Sequence, residues 1–405
     1  MGVKYLTHHH EKIDARLPFT ISKEKILNYK DEYAQIGTGV LKSIGIDGSV
    51  FLHSYASSEE NIIDNAKIIA GRILGIVDKI LIFFKKFNKT DNDIILHIVI
   101  DSKPPIPKNR KETTKQDAYT ALSLEDKDNL HKEILKHIEC RVEKGNEEVD
   151  FLANNGCAFR GKEEAKLSDI DPYASMSNDE RTTLHENLLE EIKTCLNNRP
   201  RIRLLSNINE ENRKEGEIKL FSLCKEINDK YDNDPLIKNV IVSSDSDVVA
   251  MMNFHFDKSL VIVSNINGKL YILNHNLILS ALKMTDRELA TYTLLHYVYF
   301  GSDYNTGLVS SPTESKQKII YQSVKNKIND INVIGKSFVR KRKRNEEIKD
   351  CKDNFLTQFK SELIVEALCS ILYYVSLGDE KYLTELSPLL YRKKKSKMYI
   401  PFIEF

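Results

Sequence analysis

The chain of 405 residues contains no tryptophan, no long apolar run and almost no net charge. No stretch approaches the ~18 consecutive apolar residues that a membrane-spanning helix needs. The first residues, MGVKYLTHHHEK, lack the apolar segment of a signal peptide. The six cysteines include no Cys-x-x-Cys pair, which argues against a zinc site and a disulfide framework. We therefore expect an intracellular protein, nuclear or cytoplasmic, in a reducing compartment.

The net charge of +1 results from 60 basic and 59 acidic residues. This balance gives no overall attraction for phosphate groups, so nucleic-acid binding would require basic residues gathered in patches. Such patches are present as RKRKR at 340–344, as RKKKSK at 392–397 and as a basic stretch after Asp101. RKRKR is a candidate for contact with a phosphate backbone or for nuclear import, and a solvated loop is the alternative.

Three apolar runs are typical of buried strands, and each ends in aspartate. They are VLKSIGID (40–47), IILHIVID (94–101) and NVIVSSDSD (239–247). After the first run, Ser57 or Ser58 can cap a helix whose apolar residues recur at helical spacing as far as Leu81. A strand, a helix and a strand in this order predict a right-handed crossover. We therefore predict an α/β fold with a mostly parallel central sheet flanked by helices.

Turn and capping signals predict further elements. Asn267-Gly268 lies between two β-rich runs and indicates a hairpin. Thr285, with Glu288 three residues later, forms a capping-box pattern at the start of a helix. Additional helices are predicted at 129–142, 179–196 and 361–377.

Carboxylates gathered at strand ends repel one another unless a cation or a partner lies between them. In an open parallel sheet the carboxyl ends of the strands meet at one crevice, so these acids should converge. The segments RKEGEIKLF and GSDY add further acids. The full set is Asp47, Asp101, Glu215, Glu217, Asp245, Asp247 and Asp303. Oxygen ligands without neighbouring cysteine or histidine favour Mg²⁺ or Mn²⁺ over zinc, although any one of these acids alone is more simply interpreted as a cap or turn residue.

Six short motifs follow one another within residues 1–310: MGVKYL, IDGSVFLH, VIDSKPPIPKNRKETTK, EGEIKLF, SSDSDVV and FGSDY. In wording and order they resemble the 5′ nuclease superfamily, which has a PIN-like core and includes flap endonucleases and 5′→3′ exoribonucleases. The resemblance implies a hydrolase of DNA phosphodiester bonds, a 5′ flap endonuclease or 5′→3′ exonuclease in repair, recombination or replication. It also implies that the seven acids bind two Mg²⁺ or Mn²⁺ ions.

The resemblance implies substrate contacts near the start of the chain. Gly2 would lie near the site where the substrate duplex ends. An aromatic ring at about the position of His53 or Tyr55 would stack on the terminal base of the substrate, a contact that tolerates any sequence.

Basic residues after Asp101 would contact the nucleic-acid backbone. By the resemblance, residues at the foot of a helical arch act on the scissile phosphate, and these are Lys108 together with Lys115 or Arg110. Lys103 and Lys111 in the same stretch would bind substrate. A solvated charge run is the alternative for any such stretch.

On this resemblance, residues 1–310 form the nuclease core, 103–212 within it form a helical arch or insertion, and 311–405 form a basic helical C-terminal region. The glycine-rich helix-hairpin-helix by which flap endonucleases grip duplex DNA is missing after Asp303. EGEIK and His53 are more similar to the exoribonucleases of the superfamily, whereas DSKPP and GSDY are more similar to its flap endonucleases.

Two other functions stay open at this point. One is a 5′→3′ exoribonuclease that degrades 5′-monophosphate RNA, and the other is an inactive nucleic-acid-binding scaffold. Inactive relatives would be expected to lose acids, and all seven are present here. The compact chain and its composition, rich in lysine, isoleucine and asparagine, are similar to divergent family members of large DNA viruses.

Overall fold

The computed structural model describes residues 16–20, 22, 27, 29–55, 61–88, 93–100, 173, 176–206, 215–266, 269–302, 314–328 and 367–379. Within these ranges, seven strands form one sheet. They are β1 (Leu17–Pro18), β2 (Val40–Asp47), β3 (Ile94–Val99), β4 (Ile202–Ser206), β5 (Ile237–Val242), β6 (Leu260–Ile266) and β7 (Lys269–Leu273).

Helices cover both faces of this sheet. They are α1 (Lys30–Gly37), α2 (Gly48–Tyr55), α3 (Ile62–Phe87), α4 (Asn178–Leu196), α5 (Gly216–Lys230), α6 (Ser246–His255), α7 (His275–Leu282), α8 (Asp286–Phe300) and α9 (Glu314–Lys325). Residues 367–375 are also helical and are called the C-terminal helical segment below. No helix within the described ranges is long and apolar enough to cross a membrane.

The strand order is β1-β7-β6-β5-β2-β3-β4. Strands β6, β5, β2, β3 and β4 are parallel to one another, and β7 is antiparallel to both β6 and β1. From β2 the chain winds outward through β3 to β4, then returns to the opposite side of β2 and continues from β5. The winding direction therefore reverses between β2 and β5. In open α/β sheets, the carboxyl ends of the strands at such a reversal form a crevice that binds ligands.

Two apolar cores sandwich the sheet. One lies under α1 to α4 and includes Ile44 and Ile46 of β2, which are fully buried. The other lies under α5 to α9 and includes the C-terminal helical segment, whose Ile371 is 1% exposed. The strands must be apolar on both faces because helices cover both faces, and this explains their nearly continuous apolar sequences.

The predicted α/β class and the mostly parallel sheet are confirmed. The predicted strand at 40–47 has the predicted bounds, and β6 pairs with β7 in the antiparallel sense expected of a hairpin. Thr285 and Glu288 form both hydrogen bonds of a capping box. The helix predicted at 179–196 is α4, which begins one residue earlier, whereas the helix predicted at 129–142 lies outside the described residues.

Several predicted boundaries are wrong, and the strand predicted at 94–101 ends at Val99. The strand predicted at 239–247 covers 237–242, because Asp245 caps a new helix instead of extending the strand. The helix α3 is capped by Asn61, whose side chain accepts a hydrogen bond from Ile63 N at 2.9 Å, and not by Ser57 or Ser58. Asparagine caps helices as well as serine does, and Asn61 directly precedes the first helical residue.

Candidate functional site

Two strand ends meet at the reversal of the sheet. Asp47 is the last residue of β2 and is 4% exposed. Ser243 directly follows β5, and its Oγ donates a hydrogen bond to Asp47 Oδ2 at 2.8 Å. Because β2 and β5 are adjacent parallel strands, this bond joins their carboxyl ends side by side.

The turn between β5 and α6 is fixed by its own polar groups. Asp245 N donates to Ser243 Oγ at 3.1 Å, and Asp247 N donates to Asp245 Oδ1 at 3.1 Å. Asp245 is thus the N-cap of α6, and Asp247 lies in its first turn. The positive end of a helix dipole stabilises carboxylates at this position, by roughly 0.3–1 kcal/mol each. The two aspartates of SSDSD therefore have a structural role as well as a candidate chemical role.

A second helix presents acids in the same way. Glu215 is the N-cap of α5 and Glu217 lies in its first turn. Both are buried, at 6% and 9% exposed. Helix α5 packs against β2, which places this N-terminus beside the same part of the sheet.

Two tyrosine hydroxyl groups contact these acids. Tyr374 OH lies 2.8 Å from Asp247 Oδ2 and 3.2 Å from Glu215 Oε2, and both bonds are buried. Tyr297 OH donates to the other oxygen of Asp247, Oδ1, at 3.4 Å. Burial, with the negative charges of Asp247 and Asp245, raises the pKa of Tyr297 well above its ordinary value, so its hydroxyl remains a donor.

We call Asp47, Glu215, Asp245 and Asp247 the carboxylate cluster. A continuous set of hydrogen bonds, through Ser243 and Tyr374, connects all four. The cluster draws its members from β2, the start of α5 and the start of α6. Side chains held in this way are restricted before any ligand arrives.

Gly48 allows the ends of β2 and β3 to approach closely. A Cβ atom at Gly48 would lie 2.8 Å from the backbone oxygen of Val99, which is the register partner of Asp47. Any larger residue would therefore push the two strand ends apart beside Asp47. This packing explains the glycine of IDGSVFLH in physical terms.

The donor set of the cluster is chemically suited to a hard divalent cation. All four side chains offer carboxylate oxygens, and three of them are buried. Within the described ranges, no group of three or more His, Cys, Asp or Glu side chains is placed to hold a metal ion. Asp101 and Asp303 lie outside those ranges. The described acids thus fit such an ion in their chemistry and their burial. No three of them, however, lie close enough together to hold it.

His53 lies on α2, six residues after Asp47, and its ring packs against Tyr173 in an edge-to-face contact with centroids 4.8 Å apart. Tyr173 is 8% exposed, and its hydroxyl is bonded to His185 Nε2 at 2.7 Å. Arg181 covers the Tyr173 ring at 5.2 Å and donates from Nε to the Tyr173 carbonyl oxygen. Burial and the charge of Arg181 lower the pKa of His185 to about 4, so His185 is neutral at pH 7.

The other predicted site residues cannot be placed. Tyr55 belongs to α2, where only its backbone is described. Eight further predicted residues, together with RKRKR at 340–344, lie outside the described residues. These eight are Gly2, Asp101, Lys103, Lys108, Arg110, Lys111, Lys115 and Asp303. Their roles stay predictions.

Sequence reasoning missed Ser243, Tyr297 and Tyr374. Ser243 stands inside the quoted motif SSDSDVV, where a hydroxyl next to acids is an available signal. The tyrosines stand in apolar helical runs, YVYF and ILYYVSL. A tyrosine that is buried with its helix needs a hydrogen-bond partner, so such positions indicate a buried polar contact without identifying it.

The fold thus defines an α/β protein with a reversing, mostly parallel sheet and acids at the point of reversal. No protein-family model matches the chain, and no curated protein matches it. Among solved structures, the chain is similar to the catalytic core of Rad2 in complex with DNA substrate, with a TM-score of 0.42 and 13% identity over 97% of this chain and 95% of that one.

A second complex of the Rad2 catalytic core with DNA substrate has a TM-score of 0.40 and 15% identity, over 96% of this chain and 99% of that chain. Flap endonuclease-1 from Methanococcus jannaschii has a TM-score of 0.32 and 16% identity, over 89% and 96%. A flap endonuclease is among the proteins that the sequence motifs resemble. Because these TM-scores lie below 0.5, the proposed function rests on the residues of this chain.

Proposed function

We propose that the protein is a metal-dependent 5′ nuclease that hydrolyses phosphodiester bonds in DNA, at 5′ flaps or 5′ ends, in repair, recombination or replication. One observation carries the proposal: the carboxylate cluster lies at the reversal of the sheet. Its acids come from IDGSVFLH, EGEIKLF and SSDSDVV, three of the segments in which the sequence resembles 5′ nucleases. Buried acids gathered at a ligand-binding crevice are costly to a fold, and a role in binding cations accounts for them.

In this proposal, the cluster, Glu217, Asp101 and Asp303 would together hold two Mg²⁺ or Mn²⁺ ions. Such ions would supply Lewis-acid chemistry for the hydrolysis of a phosphodiester, by activating water and stabilising negative charge on oxygen. The carboxylates of the chain would position the ions and neutralise their positive charge, and none needs to act as a nucleophile. Their hydrogen bonds to Ser243, Tyr297 and Tyr374 support this role, because ligands that are already oriented bind cations with less reorganisation.

The basic stretch after Asp101 would hold the substrate backbone beside these acids. Lys108, with Lys115 or Arg110, would contact the scissile phosphate, and Lys103 and Lys111 would add binding affinity. The terminal base would stack on the ring of His53, close to Gly2. Base stacking of this kind contributes roughly 1–3 kcal/mol per base and does not read sequence. The contact of His53 with Tyr173 supports this role, since it fixes the orientation of the ring.

The decisive experiment compares 5′-labelled flap DNA with 5′-monophosphate RNA in Mg²⁺, in Mn²⁺ and in EDTA. We expect cleavage of the flap DNA in either metal and none in EDTA. Asp247→Asn should remove most turnover while leaving much of the DNA affinity, because that affinity is attributed to basic groups. Full activity in EDTA, or wild-type rates in Asp247→Asn, would contradict the proposal.

A 5′→3′ exoribonuclease is the second candidate, and the motif EGEIK together with His53 favours it. It would require the same carboxylates and the same ions, so only the substrate distinguishes the two functions. Preferential, stepwise degradation of the 5′-monophosphate RNA would select it. Binding of either nucleic acid without cleavage, in both metals, would instead indicate an inactive scaffold.

A further inference from the structure

The C-terminal helical segment reaches the carboxylate cluster from a distant part of the chain. Its Tyr374 is 127 residues from Asp247 and 159 residues from Glu215, yet its hydroxyl contacts both side chains. Residue 374 also lies outside the range 1–310, where the sequence resembles 5′ nucleases. The group that connects the two acids is therefore supplied by a part of the chain to which the resemblance assigns no site residue.

The position of this hydroxyl is set by packing. The Tyr374 residue is 1% exposed. Its ring packs against Tyr297, at a centroid distance of 6.3 Å, and against Tyr373, at 5.6 Å. A ring enclosed on several sides has few alternative rotamers, so the hydroxyl oxygen is held nearly fixed.

A fixed hydroxyl between two carboxylates determines how these carboxylates lie relative to each other. The hydroxyl has one hydrogen, which the two acceptors share: the shorter contact, 2.8 Å, is with Asp247 Oδ2, and the longer one, 3.2 Å, is with Glu215 Oε2. With Tyr297 on Oδ1, each oxygen of Asp247 receives one tyrosine hydroxyl. The two tyrosines thus orient Asp247 through both of its carboxylate oxygens.

We propose that Tyr374 is a positioning residue of this site, whose hydroxyl holds Glu215 and Asp247 in the separation and orientation that accept a divalent cation. This inference rests on the proposed function. Without the hydroxyl, the two like charges lose their shared contact and move apart, so the arrangement that binds a cation is populated less. Losses of this kind in groups that orient metal ligands typically weaken metal affinity by about 10–100-fold.

The test is Mn²⁺ binding to Tyr374→Phe, measured by calorimetry on the full chain without nucleic acid. Phenylalanine keeps the ring and its packing and removes only the hydroxyl. We expect the dissociation constant for Mn²⁺ to rise about tenfold or more, with little change in the melting temperature measured in EDTA. Tyr321→Phe is the matched control, because it removes a tyrosine hydroxyl that bonds the backbone oxygen of Leu282 at 3.1 Å. The control should bind Mn²⁺ as the wild type does.

Three results would overturn the inference. The first is unchanged Mn²⁺ affinity in a folded Tyr374→Phe protein. The second is a Tyr374→Phe protein that no longer folds, because the hydroxyl would then be a determinant of the fold and not of ligand geometry. The third is an equal loss of affinity in Tyr321→Phe.

Failure of the proposed function would look different. In that case the wild-type protein would bind no Mn²⁺, or Asp247→Asn would bind it as tightly as the wild type. If binding is lost in Asp247→Asn but kept in Tyr374→Phe, the metal site stands and only the role of Tyr374 fails.

Discussion

Ser243 Oγ donates a hydrogen bond to Asp47 Oδ2 at 2.8 Å, although 196 residues separate the two in sequence. The bond crosses the point at which the winding of the sheet reverses, between the ends of β5 and β2. The same Oγ accepts a hydrogen bond from the backbone N of Asp245. The hydroxyl of Ser243 thus joins Asp47, at the end of β2, to Asp245, the N-cap of α6. It couples the geometry of the motif IDGSVFLH to that of SSDSDVV.

The first prediction concerns Ser243→Ala. Removing the hydroxyl leaves Asp47 and the Asp245 N–H each without one partner, so both should become less ordered. We expect single-turnover cleavage of flap DNA to fall by about 10–100-fold. The free energy of unfolding, from urea titration in EDTA, should fall by about 1–3 kcal/mol.

Ser222→Ala is the matched control for this prediction. Ser222 lies on α5, and its hydroxyl bonds the backbone oxygen of Ile218 within the same helix at 2.8 Å. Cleavage by this variant should match that of the wild type. Unaltered cleavage by Ser243→Ala would show that the bond to Asp47 is structural and has no part in the proposed chemistry.

The second prediction is that divalent cations stabilise the folded protein through the carboxylate cluster. Four carboxylates close together repel one another, and a bound cation relieves this repulsion. At a cation concentration 100 times the dissociation constant, binding to the folded state alone adds about 2.7 kcal/mol. The melting temperature should therefore rise when EDTA is replaced by millimolar Mg²⁺ or Mn²⁺.

Asp47→Asn tests whether that rise comes from the cluster. The variant keeps the size of the side chain and removes one of the charges that a cation would neutralise. Its melting temperature should respond much less to Mg²⁺ than that of the wild type. An equal rise in both proteins would place the stabilising ion elsewhere on the molecule.

The sequence predicts the scaffold of the site better than the connections within it. Strand β2 and the position of Asp47 at its end follow from the local pattern, because an apolar run is set by neighbouring residues. The sequence placed Asp245 in a strand, whereas it caps a helix. The contacts of Tyr374 do not follow, because they depend on how a distant helical segment packs. The N-cap at Asn61 was missed for a local reason, since several residues before the helix are equally suitable caps.

The third prediction separates two lysines of the basic stretch after Asp101. Lys108 lies seven residues after Asp101 in the sequence, and it would reach the acids if the chain turned at Pro104, Pro105 and Pro107, since proline restricts the backbone and deters an earlier helix start. A contact made only once the phosphate lies on the site is stronger in the transition state than in the ground state. Lys108→Ala should therefore lower single-turnover cleavage more than DNA affinity.

Lys111→Ala is the comparison for Lys108→Ala. It should weaken DNA binding modestly and leave single-turnover cleavage at saturating protein nearly unchanged. Equal small effects of both substitutions would mean that the stretch is an undifferentiated basic surface. The alignment of Lys108 with the basic residues of 5′ nucleases would then be wrong.

The last prediction concerns the stability of the protein in mild acid. Burial and the neighbouring Arg181 lower the pKa of His185 from its ordinary value of 6.5 to about 4. In the unfolded chain this histidine takes up a proton near pH 6.5, whereas in the folded protein it resists protonation until about pH 4. The unfolded state therefore binds more protons in this interval, and the stability present above pH 6.5 is lost as the pH falls toward 4. His255 and His275, whose pKa values burial also lowers, add to the same trend.

His185→Gln isolates the contribution of this residue. Glutamine does not titrate, and its side-chain amide can donate or accept, so it can replace His185 Nε2 as the hydrogen-bond partner of Tyr173 OH. The free energy of unfolding, from urea titrations between pH 7 and pH 5, should fall less steeply in the variant, with a difference of at most about 2 kcal/mol over this range. Glu186→Gln, at an exposed neighbouring position on α4, is the control and should keep the wild-type dependence. If the His185→Gln protein loses stability with falling pH as steeply as the wild type, protonation of His185 does not contribute, and the remaining histidines must account for the loss.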